Sequence, residues 1–167
     1  LDVCKQLKAK RPSVPIIIEM KIDSVGMGTR VVEDIRAAGA DDTVCVAGYG
    51  STSAATVRGA LPHVATSAST AEVRLAVYRS WAGWPVKRPR FGGYQVPEHA
   101  GRIRIVSPRF IRQAHAAGLE VQVWTLDTEA EMEQMLGWGA DGLITNRPDL
   151  AVSVRDAFVG GVAALPA

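Results

Sequence analysis

The feature that most limits what this chain can fold into is the alternation of short β-type runs with runs of helical period. Val14–Met20 is a dense apolar run, the pattern of a strand covered on both faces. Thr29–Ala38 carries Val31, Val32, Ile35 and Ala38 at helical spacing and is closed by Gly39. Thr43–Ala47 reads as the next strand. Ser51–Leu61 reads as a short helix stopped by Pro62, and His63–Ser67 as a weak strand. Thr70–Trp81 places Val73, Ala76, Val77 and Ser80 on one helical stripe. Gly83–Gly93 is less regular and holds the basic run Lys87, Arg88 and Arg90. Tyr94–Val96 is a short strand, and the alternation over Arg102–Val106 suggests a small extra one. Ser107-Pro108 opens a helix as N-cap and first-turn proline, and Gly118 closes it. Glu120–Thr125 is a strand. Thr128 and Glu131 have capping-box spacing and open a helix striped by Met132, Met135 and Leu136 that ends near Gly139. Asp141–Thr145 is the last strand and Pro148–Phe158 the last helix. The small-residue tail, residues 159–167, is expected to fray.

This pattern predicts an α/β fold with a parallel sheet of about six strands. No strand–helix junction carries a G-x-G-x-x-G fingerprint, so a dinucleotide fold has no positive support. An open sheet and a β/α barrel both fit the pattern. No linker divides residues 1–167, which read as a single domain. The net charge of +2 gives no electrostatic reason to expect nucleic acid or an anionic membrane as partner. No apolar run approaches the ~20 residues of a membrane span, so no stable membrane anchor is expected. Residues 1–13 do not read as a signal peptide. Cys4 and Cys45 cannot build a disulfide scaffold and are most simply buried thiols.

The sharpest chemical feature is Glu19 with Lys21 at the end of the first strand. Period two puts both on one face with Ile17, and Ile16, Ile18 and Met20 on the other. Charges ending an apolar strand are costly unless paired or liganded. Parallel α/β folds build their sites at that end of the strand. Two readings stay open: a metal-binding carboxylate beside a phosphate-binding lysine, or a structural pair at the sheet rim. Gln122 and Trp124 share a face of their strand, where Trp124 could wall a pocket or simply belong to the core. Gln95 could place an amide in that pocket. His63, His99 and His115 have no metal-ligand spacing, and His115 reads as a helix-end cap. Gly48-Tyr49-Gly50-Ser51 resembles a phosphate loop only faintly, without its lysine.

One family joins these residues. The run from Ala114 to Asp127, with His115, Gly118, Val121, Trp124 and Thr125, resembles the A-H-x-x-G-x-x-V-x-x-W-T-x-(N/D) run of glycerophosphodiester phosphodiesterases. Gly139–Pro148 resembles its G-x-D-G-(I/L)-(I/L)-T-(D/N)-x-P run, and Glu19-Met20-Lys21 its E-x-K strand. Gly48-Tyr49 stands where the family usually has Ser-Phe. The resemblance implies a TIM-type β/α barrel that hydrolyses glycerophosphodiesters to an alcohol and glycerol 3-phosphate with a divalent cation, Mg²⁺ or Ca²⁺. It implies Glu19 as metal ligand and Lys21 as the catalytic group that holds a phosphate oxygen. Trp124 and Gln95 would line the substrate pocket. The family's H-R-G, E-N-T and E-x-D motifs do not occur in the sequence, so no catalytic histidine is expected from this chain.

The expected architecture is therefore a partial TIM-type barrel, about strands 3–8 of eight, truncated at the N-terminus. A full barrel typically takes ~250 residues. Such a segment has open parallel edges, which predicts possible self-association. Two alternatives of other kinds are a non-catalytic phosphate- or glycerol-phosphate-binding module and a related barrel phosphodiesterase acting on phospholipids.

Overall fold

The computed structural model describes residues 5, 6, 9, 10 and 14–163. Cys4 and residues 164–167 of the expected tail lie outside them. The chain divides into two compact units, residues 1–75 with 89–92 and residues 76–88 with 93–167. Both are built from parallel strands and helices, so the fold is α/β, as the alternation predicts.

In the first unit β1 (Ile16–Met20), α1 (Val25–Ala38), β2 (Val44–Gly48), α2 (Ser51–Ala60) and β3 (Ala65–Thr66) follow in order. The strands form one parallel sheet, β1-β2-β3, with Glu19 opposite Ala47 and Met20 opposite Gly48. Met20, Val44 and Val46 from the strands pack with Val32 and Ile35 of α1 and Val57 of α2. Burial of these side chains is the main stabilising term. Ile16 and Ile18 face that core, whereas Ile17 is 46% exposed. Among the described residues β1 is thus covered on one face, not on both as its apolar run suggests, because α1 and α2 supply core side chains to that one face.

The first helix starts at Val25, four residues before the expected Thr29. Ser24 is its N-cap, and its Oγ accepts from the Met27 amide at 3.1 Å. Gly26 and Gly28 in the first turns hide the apolar period. Gly28 is there for a packing reason: a Cβ would sit 2.7 Å from Thr56 Cβ and 2.9 Å from the Ser53 carbonyl on α2.

In the second unit the C-terminal part of α3 (Thr70–Ala82) is followed by β4 (Gly93–Pro97), β5 (His99–Ala100) and β6 (Ile103–Arg104). Then come α4 (Pro108–Ala116), β7 (Glu120–Trp124), α5 (Glu129–Trp138), β8 (Gly142–Leu143) and α6 (Pro148–Ala163). The parallel order is β4-β7-β8, and β5 and β6 pair as an antiparallel hairpin. The extra strand expected over Arg102–Val106 is confined to Ile103–Arg104, because the amides of Ile105 and Val106 turn to the Glu98 carbonyl. Ser107 caps α4 through the Phe110 amide, and both halves of the Thr128–Glu131 capping box are made. Tyr94, Val96, Ile111, Val121, Val123, Met132 and Met135 are buried to 1% exposure or less. The last helix runs on to Ala163, past the expected end at Phe158. Glycine at 160 and 161 costs a helix about 1 kcal/mol each without breaking it. The six parallel strands expected from the sequence are all present, as two ladders of three.

The start of α3 depends on a polar cluster in the first unit. Arg58 grips Glu72 with two bonds of 2.8 and 3.1 Å, while its other donors reach Thr66 Oγ1 and the Ser67 carbonyl. Glu72 also accepts from the Ser69 amide at 2.7 Å and the Ser69 hydroxyl at 2.9 Å. Burial pushes the Glu72 pKa up, but the hydrogen bonds from Arg58 and Ser69 outweigh it and hold the group below its usual value. Because the folded pKa is depressed, this stabilisation is present above the unfolded value of ~4.3 and is lost as pH falls through the folded one. Glu72→Gln is expected to cost roughly 1–2 kcal/mol at neutral pH, discounted for the partial exposure of the pair. The cost should shrink toward pH 3. Urea unfolding of both proteins at the two pH values checks this, and an equal cost at both would rule out the charge as its source.

Candidate active site

The C-terminal end of β1 delivers Glu19 and Lys21 to the rim of the first unit. Their side chains meet directly, Lys21 Nζ to Glu19 Oε2 at 2.7 Å, with 70% and 41% of the side chains exposed. The Glu19 hydrogen bond is the main reason that the Lys21 ammonium titrates above its ordinary value; burial works weakly against it. Lys21 therefore carries its charge throughout the neutral range. Its Nζ also lies 6.0 Å from the centroid of the Tyr49 ring, which projects from the loop after β2.

The faint phosphate loop at Gly48-Tyr49-Gly50-Ser51 is built for another purpose. Gly50 is the N-cap of α2 and has no side chain to offer, so the helix N-terminus needs an acceptor from elsewhere. Asp23, from the loop after β1, supplies it: Oδ1 accepts from the Ser53 amide at 2.9 Å and from the Ser53 hydroxyl at 3.3 Å. A Cβ at position 50 would overlap the Asp23 carboxylate, so glycine is required there. The backbone bond from Ser53 is the main cause of the lowered Asp23 pKa. The anion at this helix end is the chain's own carboxylate.

In the second unit, Gln95 of β4 and Gln122 of β7 are register partners. Gln95 Nε2 donates to Gln122 Oε1 at 2.9 Å. Val121 and Val123 are fully buried on the opposite face, and Gln122 and Trp124 are half-buried on this one, as strand period two predicts. Trp124 is therefore not a fully buried core residue. The peptide bond from Trp124 to Thr125 is cis.

Two further carboxylates tie the strand ends of this unit together. Asp127, after β7, accepts from Thr145 Oγ1 at 3.0 Å, the Asn146 amide at 2.9 Å and Asn146 Nδ2 at 3.0 Å, all from the loop after β8. At the other end of the ladder Asp141 Oδ2 accepts from the Val121 amide at 2.7 Å and lies 2.9 Å from His115 Nε2. His115 thus joins the end of α4 to the start of β8 through Asp141, rather than capping its own helix. Sequence reasoning missed Asp23, Asp127 and the His115–Asp141 pair as structural groups. For Asp127 and Asn146 the signal was present, because both sit inside the motif runs, but nothing local says that the runs touch.

Comparison with known proteins decides the family. Residues 4–150 match the glycerophosphoryl diester phosphodiesterase family. The chain belongs to this family. A curated relative, Probable glycerophosphodiester phosphodiesterase 2 of Mycobacterium tuberculosis, is 37% identical over 65 residues, which are 39% of this chain and 24% of the relative. The chain matches a crystal structure from Silicibacter pomeroyi, described as a glycerophosphoryl diester phosphodiesterase, with TM-score 0.75 and 16% identity. That match covers 95% of the chain and 56% of the other. A glycerophosphodiester phosphodiesterase from Parabacteroides distasonis matches with TM-score 0.72 and 14% identity over 93% of the chain and 63% of the other. The chain thus spans a quarter of the length of that curated relative and rather more than half of those solved structures.

The phosphodiesterase family is in general dependent on a divalent metal. Glu19 has the hard oxygen chemistry such a cation takes. Among the described residues, however, no group of three or more His, Cys, Asp or Glu side chains is placed to hold a metal. The donors present do not make a complete cation site, and Asp23, Asp127 and Asp141 are committed to backbone amides.

The Asp127 clamp is open to a direct test. Hydrogen bonds from the Asn146 side chain, the Asn146 amide and the Thr145 hydroxyl, in that order, hold its pKa below the ordinary value. The clamp is thus complete above the unfolded Asp pKa and is lost as pH falls through the folded value. Asp127→Ala is expected to lower the melting temperature at neutral pH and to remove hydrogen-exchange protection from the Asn146 amide. Unchanged protection at Asn146 would show that the amide is held by something else.

Proposed function

We propose that this chain carries part of the substrate site of an enzyme that hydrolyses glycerophosphodiesters to an alcohol and glycerol 3-phosphate. In that reaction water adds across one P–O ester bond, its oxygen going to phosphorus and a proton to the departing alkoxide. The single observation that carries the reading is the exposed Glu19–Lys21 pair at the C-terminal end of β1. It resembles the family's E-x-K strand in residue type, and it lies within the matched residues 4–150. A related phosphodiesterase from Oleispira antarctica, similar with TM-score 0.62 over 88% of this chain and 57% of that one, was solved with the product sn-glycerol-3-phosphate.

The roles follow from charge and position. Lys21 takes a non-bridging phosphate oxygen and offsets the charge that grows on it in the transition state. Glu19 would supply one oxygen to a divalent cation, Mg²⁺ or Ca²⁺, whose charge would offset that of the phosphate. Trp124 offers a half-buried apolar wall to the glycerol carbons. Gln95, its amide oriented by Gln122, hydrogen-bonds a glycerol hydroxyl. The chain is proposed to be a single phosphodiesterase domain equivalent to about strands 3–8 of an eight-stranded barrel, because the family match runs through both units. No catalytic histidine is assigned to it.

Titration of the chain with sn-glycerol 3-phosphate, alone and with Mg²⁺ or Ca²⁺, tests the site without requiring turnover. Lys21→Ala is expected to weaken binding at least about tenfold, in line with one charged hydrogen bond, and Lys21→Arg to keep part of it. Gln95→Leu should weaken glycerol 3-phosphate but not inorganic phosphate. Glu19→Gln should remove the gain from the cation. Hydrolysis of glycerophosphocholine by the chain alone is expected to be absent. Binding unmoved by Lys21→Ala would sink the proposal.

A further inference from the structure

Charge is unevenly distributed along this chain. The whole carries +2, but between Glu72 and Glu98 there is no carboxylate side chain and there are five cations, Arg74, Arg79, Lys87, Arg88 and Arg90. The same stretch holds Trp81 and Trp84, two of the four tryptophans. Of these, Arg79, Trp81, Trp84, Lys87 and Arg88 belong to the second unit, in the C-terminal part of α3 and the residues that follow it. Ala76, Val77 and Ser80 bury one face of the helix, and the other presents Tyr78 and Trp81, 52% and 55% exposed. Their rings meet edge to face, 5.5 Å between centroids and 75° between planes.

The helix then ends in a fixed turn. Gly83 has φ +77°, its amide donates to the Ser80 carbonyl at 3.3 Å, and the Trp84 amide donates to the Arg79 carbonyl at 2.9 Å. This is the paired bonding of a Schellman cap. The residue after such a glycine usually folds its apolar side chain back onto the helix. Trp84 instead stands 68% exposed. Arg109 lies over the turn, its Nη2 3.0 Å from where a Gly83 Cβ would be. None of the ion pairs among the described residues includes Arg79, Lys87, Arg88 or Arg109.

We propose that this patch docks on an anionic lipid bilayer, with the rings of Tyr78, Trp81 and Trp84 at headgroup level and Arg79, Lys87, Arg88 and Arg109 toward the lipid phosphates. Tyr and Trp have an apolar body and a polar tip, which suits the water–hydrocarbon boundary. The cations beside the rings, with no carboxylate between Glu72 and Glu98 in the sequence to offset Arg79, Lys87 and Arg88, select a negative surface over a neutral one. A second copy of the patch would set cations against cations. Single-stranded nucleic acid needs open ring faces to stack on, and the edge-to-face Tyr78–Trp81 pair turns the edge of one ring onto the face of the other. No helix among the described residues is long and apolar enough to cross a membrane, so the contact is peripheral and reversible. The proposal does not depend on the catalytic reading, because no residue of the patch is placed in that site.

Co-flotation of the chain with phosphatidylcholine vesicles, with and without phosphatidylglycerol, tests it, together with tryptophan emission. Binding is expected to the anionic vesicles only, with a blue shift of emission and a loss of binding as salt rises. Lys87→Gln with Arg88→Gln should lower partitioning at least about tenfold, from ~1 kcal/mol for each basic residue near such a surface. Trp81→Ala with Trp84→Ala should abolish the blue shift. Both double variants alter exposed side chains, and thermal melts that match the parent keep the comparison valid. Equal binding to neutral vesicles, or no binding to anionic ones, would overturn the proposal. So would a concentration-dependent dimer that the tryptophan variant disperses, or an RNA oligonucleotide that binds the patch in preference to vesicles.

Discussion

Parallel strands joined through helices leave backbone amides at their ends that no ladder satisfies, and carboxylates take them in this chain. Asp23 holds the Ser53 amide, Glu72 the Ser69 amide, Asp127 the Asn146 amide and Asp141 the Val121 amide. Each also takes a side-chain donor: the Ser53 hydroxyl, the Ser69 hydroxyl with the Arg58 guanidinium, Asn146 Nδ2 with the Thr145 hydroxyl, and His115. A buried or half-buried amide left without an acceptor costs more than a typical hydrogen bond contributes, so these four positions fix where the loops can run.

Seen beside those four, Glu19 is of a different kind. Its partner is the Lys21 side chain at the open end of β1, with both groups well exposed. An exposed ion pair of this sort adds little stability, since solvent screens it and two side chains must be ordered to make it. A carboxylate spent on backbone amides is not open to a cation, whereas one paired with an exposed lysine can exchange that partner for a ligand. The family motif therefore divides physically. In the runs from Ala114 to Asp127 and from Gly139 to Pro148, His115, Asp127, Asp141, Thr145 and Asn146 bind one another or the backbone. Gln122 and Trp124 lie half-buried on the opposite face of the same strand from Val121 and Val123, and Gln122 is bonded to Gln95.

What could be read from the sequence was what depends on near neighbours. The capping box at Thr128 and Glu131, the Ser107-Pro108 start and the period-two split of Val121 and Val123 from Gln122 and Trp124 all need at most a few residues of context. The β1 face bearing Glu19 was legible for the same reason. What could not be read depends on pairing across the sheet. Asp23 reaches 30 residues ahead to α2, and Gln95 meets Gln122 only because β4 and β7 align in that register. The early start of α1 was hidden by Gly26 and Gly28, and the reason for Gly28, the close approach of α2 at Thr56, is itself tertiary. The apolar run of β1 reported a strand correctly and its coverage incorrectly, because hydrophobicity says that a face should be covered and not by what.

The allocation of carboxylates also accounts for the basic stretch after α3. At four positions elsewhere a backbone amide is held by an acidic side chain. Over residues 83–93 Gly83 and Trp84 donate back into the helix, Gly92 donates to the Thr66 carbonyl, and Pro85 and Pro89 have no amide to satisfy. At those five positions the loop dispenses with acidic acceptors. Nothing nearby in the sequence offsets Arg79, Lys87 and Arg88, and a whole-chain balance of +2 conceals a stretch with cations and no carboxylates. The composition argument against an anionic partner holds for the average of the chain. It does not describe the field that a partner meets locally, which is set by charge within about a Debye length, ~8 Å at physiological salt.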